Sequence, residues 1–175
     1  MADELLEYKG IIISQDTVCG LPVRLYHHIF YGRVSKNFKI YGVHHREALT
    51  SNISIPEPGN IRIVDNSIEK QGNGFYKATV QCWNGKEWVS KTSKNGFFPD
   101  SWDIKQVMKE LSEARQRLTI DDWMPPVLPQ KKSNAYLQKT SCGQTLVFYL
   151  GKPRRNRPAI LDKYIVTVFP YFENC

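Results

Sequence analysis

The stretch FYKATVQCWNGKEWVSKTSKNGFFPDSWDIKQVMKELSEARQRL, residues 75–118, reads as a hairpin followed at once by a helix. Phe75 to Trp83 is rich in aromatic and β-branched residues in rough alternation, the pattern of a half-buried strand. Asn84-Gly85 is the preferred pair for a type I′ turn, and Lys86 to Ser93 reads as the returning strand. Pro99-Asp100-Ser101 then offers a capping residue and a helix start. Ile104, Val107, Met108, Leu111, Ala114 and Leu118 fall on one face at a spacing of about 3.6, with Lys105, Lys109, Glu110, Glu113 and Arg117 elsewhere around it. This predicts one amphipathic surface helix at about 101–118, packed on a sheet and carrying no chemistry.

Upstream, the apolar run Ile11 to Ile13 ends near Gly20-Leu21-Pro22, and a histidine-rich segment covers residues 26–46. Pro56-Glu57-Pro58-Gly59 and Gln71-Gly72-Asn73-Gly74 read as turns or loops around a short strand, Ile61 to Val64. Downstream, residues 121–134 hold three prolines and read as a surface loop. Thr145 to Leu150 and Lys163 to Tyr171 read as strands. Between them Gly151-Lys152-Pro153-Arg154-Arg155-Asn156-Arg157-Pro158 forms a basic hairpin loop. The sum is an α+β domain with helices mainly in the first part and antiparallel strands dominating later.

With 24 basic against 17 acidic residues the net charge is +7, which points toward a polyanion partner, nucleic acid being the commonest. Cys19, Cys82, Cys142 and Cys175 show no CxxC spacing, so free thiols, mostly buried, are expected rather than a zinc ribbon, a redox pair or a disulfide framework. No run of eighteen apolar residues marks a membrane span, and the acidic start Met-Ala-Asp-Glu lacks a signal-peptide pattern. Action in a cytoplasm, the cell's own or a target's, is the expectation.

All four histidines lie in two adjacent pairs, His27-His28 and His44-His45. Neighbours in sequence rarely face the same way, so one of each pair can line a cleft while the other packs. Four imidazoles could instead gather a metal, although adjacent histidines make poor ligand geometry and only Glu47 stands near. RNA cleavage by 2′-OH attack needs a base for the 2′-OH proton and an acid for the leaving 5′-oxygen. Histidine suits both tasks. A lysine stabilises the charge on the phosphorane. Two histidines and a lysine beside a basic surface are a sufficient set, with no metal and no cofactor.

The order of these segments resembles the bacterial EndoU nucleases, including toxin domains of contact-dependent inhibition proteins. Their histidine before Ile-Leu and glycine appears as His28-Ile29-Phe30-Tyr31-Gly32. Their Gly-Phe-His element appears as Gly42-Val43-His44, sixteen residues after His28. A strand with Trp and Lys before Phe-Phe-Pro-Asp-Ser-Trp appears as Trp88 and Lys91 before Phe97-Phe98-Pro99-Asp100-Ser101-Trp102. A Ser-Gly element appears as Ser141-Cys142-Gly143, and the closing Ile-x-Thr-x-Tyr-Pro as Ile165-Val166-Thr167-Val168-Phe169-Pro170.

The resemblance implies a ribonuclease A- and barnase-like toxin fold, with N-terminal helices and antiparallel sheets. Residues 1–25 would be a lead segment and 26–175 the nuclease domain. It implies cleavage of RNA to a 2′,3′-cyclic phosphate, with uridine preference and a toxin role. His28 and His44 match the catalytic pair, Lys91 the lysine and Thr167 a C-terminal active-site position. His27, His45 and Lys94 are the alternatives in register. Asn95 stands where the family has serine, Gly96 where it has threonine and Phe169 where it has tyrosine. Asn95 and Phe169 are then expected at the base, Phe169 by stacking, with Lys94, Arg154, Arg155 and Arg157 also contacting substrate. The implied partners are RNA and a cognate immunity protein, with neither DNA nor membrane. A non-catalytic RNA-binding or interaction module on the same fold is the alternative, kept open by Asn95 and Phe169.

Overall fold

In chain order the elements are β1 (Leu6–Tyr8), β2 (Ile11–Ile13), β3 (Thr17–Val18), β4 (Leu21–Pro22), α1 (Val23–Phe30), β5 (Arg33–Val34), β6 (Ile40–Tyr41) and β7 (Ile61–Ile63). They continue with β8 (Glu69–Gly72), β9 (Phe75–Ala78), β10 (Val80–Trp83), β11 (Trp88–Ser90), β12 (Asn95–Phe97), α2 (Ile104–Arg117), β13 (Ala135–Lys139), β14 (Thr145–Leu150) and β15 (Ile165–Pro170). The computed structural model describes residues 6–8, 11–13, 17–18, 21–47, 49, 53–122, 135–150 and 165–172. The architecture is α+β, with one main helix and several antiparallel sheets. Contacts group the chain into two compact units, Met1–Tyr26 with Ile104–Val168, and His27–Asp103 with Phe169–Cys175.

In the second unit, the apolar run 75–83 serves two sheets rather than one. It breaks at Thr79, whose N–H donates to Ser67 Oγ and whose carbonyl accepts from Val64. Before the break β9 lies between β8 and β12; after it β10 lies between β7 and β11. Alternation survives the break. Tyr76, Ala78, Val80 and Cys82 all enter one core with Ile40, Val43, Ile61 and Phe97. Tyr76 and Phe97 stack with centroids 5.0 Å apart. On the opposite face Phe75 meets the edge of Trp102 at 5.3 Å. Truncating Phe97 to alanine would cost about 3–5 kcal/mol, since it is wholly buried.

The type I′ turn sits one hairpin earlier than the sequence suggests. Gly72 pairs with Phe75, and the two residues between them, Asn73 (φ 51°) and Gly74 (φ 82°), are both left-handed, as that turn requires. At Asn84-Gly85 only Gly85 is left-handed, and Trp83 pairs with Trp88 across a four-residue loop. The Asn84 side chain stabilises that loop by accepting from the N–H groups of Lys86 and Glu87.

In the first unit, α2 packs on β13 and buries Val107, Met108, Leu111 and Ala114. It begins at Ile104 rather than near Ser101. The Pro99-Asp100-Ser101 stretch is a turn instead, closed by Trp102 N–H on Pro99 O. Asp100, in the second unit, accepts from the Tyr76 hydroxyl at 2.7 Å and pairs with Arg46 at 3.6 Å rather than capping. Buried Glu110 accepts from Ser141 N–H and the Ser141 hydroxyl at the β13–β14 turn, which gives the Ser-Cys-Gly element a structural task. Among the described residues the N-terminal part holds one helix and the short pairs β1–β2 and β3–β4, where several helices were expected. The β-branched run Ile11–Ile13 favours strand pairing. Cys82 is a buried free thiol and Cys142 an exposed one. Most of the proline-rich loop and the whole basic loop Lys152 to Arg157 lie outside the described residues.

Candidate active site

The last carbonyls of a helix lack partners within the helix and must find them elsewhere. At the end of α1, His27 O accepts from Tyr31 and Gly32 N–H, and Gly32 turns the chain at φ 65°. His28 O and Ile29 O accept from the N–H groups of Val43 and His44 at 2.9 and 2.7 Å. The helix end thereby docks the second histidine segment beside the first. Only glycine fits at 42, where φ is 77° and a Cβ would lie 2.1 Å from His28 O. Val43 follows at φ 68°, a strained conformation for a β-branched residue. It is held by complete burial in the core.

His44 is fixed at every polar point but one. Its N–H goes to Ile29 O and its carbonyl accepts from Phe98 N–H. Its Nδ1 lies 2.9 Å from Gly96 O. A carbonyl only accepts, so Nδ1 carries the proton and Nε2 presents a lone pair. The Phe169 ring stacks on the imidazole at 5.1 Å. The His28 ring faces it at 5.9 Å. Burial lowers the His44 pKa to about 3, helped by the charges of His28 and Lys91 and opposed by the Gly96 hydrogen bond. Burial also lowers His28 to about 4, with Lys91, Arg33 and His27 adding to the effect. Both imidazoles are therefore neutral at neutral pH in the free protein.

The adjacent histidines are engaged differently. His27 stacks on Tyr31 at 5.3 Å. His45 is buried; its Nδ1 accepts from Glu47 N–H at 3.0 Å, so its Nε2–H donates to Trp102 O at 2.8 Å. With both nitrogens committed, His45 is a brace. Among the described residues no group of three or more His, Cys, Asp or Glu side chains converges as a metal cluster would.

Lys91 sits at the end of β11, and its N–H bonds to Val80 O. Its side chain turns inward, where burial lowers its pKa. Its ammonium donates to Asn95 Oδ1 at 2.6 Å. Lys94 does not join this group. Its ammonium is held by the Glu69 carboxylate and by Ser67 O. Asn95, expected at the base, is instead 3% exposed, and its Nδ2 donates to Gly42 O and Val43 O. Buried, with both amide protons on backbone carbonyls and its oxygen on Lys91, the side chain has no donor left for a base edge. The signal that could have found this is its spacing: four residues after Lys91, at the start of a strand.

Gly96, where the family has threonine, sets the His44 tautomer with its carbonyl. A Cβ there would lie 2.6 Å from Pro170 O, so glycine is what lets β12 approach the Phe169–Phe172 segment. Thr167 lies on β15 in the other unit, with a buried hydroxyl that has no hydrogen-bond partner among the described residues. Arg154, Arg155 and Arg157 lie outside the described residues. Among the described residues no helix is long and apolar enough to cross a membrane.

No curated protein and no solved structure matches the chain. A family model described as bacterial EndoU nuclease matches residues 23–171, a span that includes both facing histidines, Lys91 and the stretch Phe97 to Trp102. On a match of that length, the chain belongs to the bacterial EndoU nucleases.

Proposed function

We propose that the protein is an endoribonuclease that cleaves RNA by attack of a ribose 2′-OH, leaving 2′,3′-cyclic phosphate and 5′-OH ends. The observation that carries this reading is the facing pair His28 and His44, with the His44 proton fixed on Nδ1 and a lysine charge beside both rings. His44 Nε2, with its lone pair open, takes the 2′-OH proton. His28, more exposed and the less depressed of the two, gives a proton to the leaving 5′-oxygen. Lys91 stabilises the phosphorane charge as a point cation. No step of this scheme requires a metal.

A bound phosphodiester is an anion, and an opposite charge raises an imidazole pKa. Substrate thus supplies what the free site lacks, a protonated His28. Phe169, already stacked on His44, walls the base side, and the basic segment Lys152 to Arg157 contacts RNA phosphates. With Asn95 committed to the interior, uridine preference rests on groups other than its side chain. Residues 26–175 act as the nuclease and 1–25 as its lead.

The test is cleavage of an oligoribonucleotide in EDTA, beside the same oligomer with 2′-deoxyribose at the cleaved position. Cyclic-phosphate ends from the first and no product from the second are expected. Equal cleavage of the two would end the reading, because this scheme has no second nucleophile.

A further inference from the structure

We propose that Asn95 is a positioning residue, which ties the Lys91 ammonium to the left-handed Gly42–Val43 turn that presents His44. The proposal rests on the ribonuclease reading above for its consequence, though not for its geometry. An asparagine side chain has two N–H donors and one carbonyl acceptor. Here all three are used. Nδ2 donates to Gly42 O at 2.7 Å and to Val43 O at 2.9 Å, and Oδ1 accepts from Lys91 Nζ at 2.6 Å. The two acceptors are consecutive carbonyls, and the next residue is His44.

The turn needs such a partner. Gly42 and Val43 are both left-handed, at φ 77° and 68°, and both are buried. Successive residues in that conformation present buried carbonyls that cannot go unpaired. A single NH₂ group can satisfy both. A serine, the residue the family resemblance puts here, has one donor and a shorter reach. An aspartate has no donor and would set a carboxylate against two carbonyl oxygens.

The carboxamide is also the right group for Lys91. Its oxygen fixes the ammonium without cancelling the charge, and among the described residues no other hydrogen-bond acceptor holds Nζ, which leaves N–H bonds for a phosphate. A carboxylate would hold the lysine equally well and neutralise it. Asn95 and its neighbour Gly96 together set the cation, the His44 turn and the His44 tautomer from the start of one strand. That is a means of pre-organising acid–base geometry, where a misplacement of about 1 Å can cost about 10²-fold in rate.

The test uses the full chain and the variants Asn95→Ser, Asn95→Asp, Lys91→Ala and the Lys91→Ala/Asn95→Ser double, with folding checked by circular dichroism. Asn95→Ser should lower kcat by about 10- to 100-fold with KM changed by less than about threefold. Asn95→Asp should lose at least as much although it keeps the shape. In the Lys91→Ala background Asn95→Ser should cost clearly less than it does in the parent, because one of the two groups it ties is gone while the turn remains. Full additivity, or a KM effect confined to one base, would overturn the proposal.

Two readouts need no cleavage. The His28 ring titration, followed by NMR, should move upward in Asn95→Asp, which neutralises the neighbouring charge. In the unmutated chain the two Asn95 carboxamide protons should exchange slowly with water. Fast exchange there would overturn the proposal even if no variant folds. A chain that shows slow exchange but cleaves no RNA would sink the ribonuclease reading and leave the tie intact.

Discussion

Acid should destabilise this protein through its facing histidines. The perturbation is a drop from about pH 7.5 to about pH 4.5. An unfolded histidine titrates near about 6.5, whereas burial holds His44 at about 3 and His28 at about 4. Both folded values lie below the unfolded one. Between them the unfolded chain binds more protons, so stability rises with pH there. The contribution is complete above about 6.5 and is lost as pH falls toward the folded values.

At about pH 4.5 the chain sits about two units below the unfolded pKa, and each unit is worth about 1.4 kcal/mol. His44, buried, gives up about 2.7 kcal/mol. His28 is part exposed, and halving its similar share for screening by water leaves about 1 kcal/mol. The loss of about 4 kcal/mol is a large part of the roughly 5–15 kcal/mol that holds a domain together. In urea it should lower the midpoint by about 2 M. The assay is a pair of urea titrations at the two pH values, with His44→Gln as reference. The variant has no imidazole at 44, so its pH dependence should shrink by the His44 share. Equal midpoints at the two pH values, or an unchanged dependence in the variant, would refute the claim that burial keeps this imidazole neutral.

Three further outcomes are expected. His28→Ala and His44→Ala should each cut cleavage by about 10²–10⁴-fold in a gel assay. His27→Ala should cost far less, and His45→Ala, by leaving Trp102 O and Glu47 N–H unpaired, should lower stability by about 1–3 kcal/mol in a thermal melt. The pH profile of kcat/KM, which reports the free enzyme, should peak below about pH 5, and that of kcat at higher pH because bound phosphate raises both imidazoles; superimposed profiles with limbs near about 6.5 would contradict the burial shifts. Gly42→Ala should pay about 1–2 kcal/mol for its left-handed backbone and also push on His28 O, so loss of more than about 10²-fold in rate is expected beside a lowered melting temperature. A melt and a rate like those of the parent would show that the helix end does not register the two histidines.

The hairpin and helix of residues 75–118 were legible because period and turn chemistry act over a few residues. Tyr76, Ala78, Val80 and Cys82 share a face whatever the rest does. The break at Thr79 was not legible, since it depends on Ser67, twelve residues away. Both Asn-Gly pairs carry the same local preference, and tertiary pairing chose Asn73-Gly74 for the tight turn. The choice of His28 and His44 over their neighbours came from the family resemblance; what the helix-end carbonyls of His28 and Ile29 account for is that these two rings lie face to face. The role of Asn95 was hidden for a different reason. Its partners Gly42 and Val43 lie more than fifty residues upstream, and residue type alone fits a base edge as well as a backbone turn.

The same burial that costs stability in acid keeps both imidazoles neutral in the free protein. An exposed histidine pair would titrate near neutrality and spend its field on water. Here the Gly96 carbonyl holds one tautomer, and a neutral carboxamide holds the lysine without quenching it. Among the described residues, the charges that lower the two facing imidazoles are those of Lys91, Arg33 and the neighbouring histidines. In the proposed ribonuclease reading, a bound phosphodiester brings a negative charge to these positively flanked rings. The strain at Val43 belongs to the same logic. A relaxed backbone there would turn the carbonyls of residues 42 and 43 away from Asn95, and with them the lysine and the lone pair of His44 would lose their common anchor.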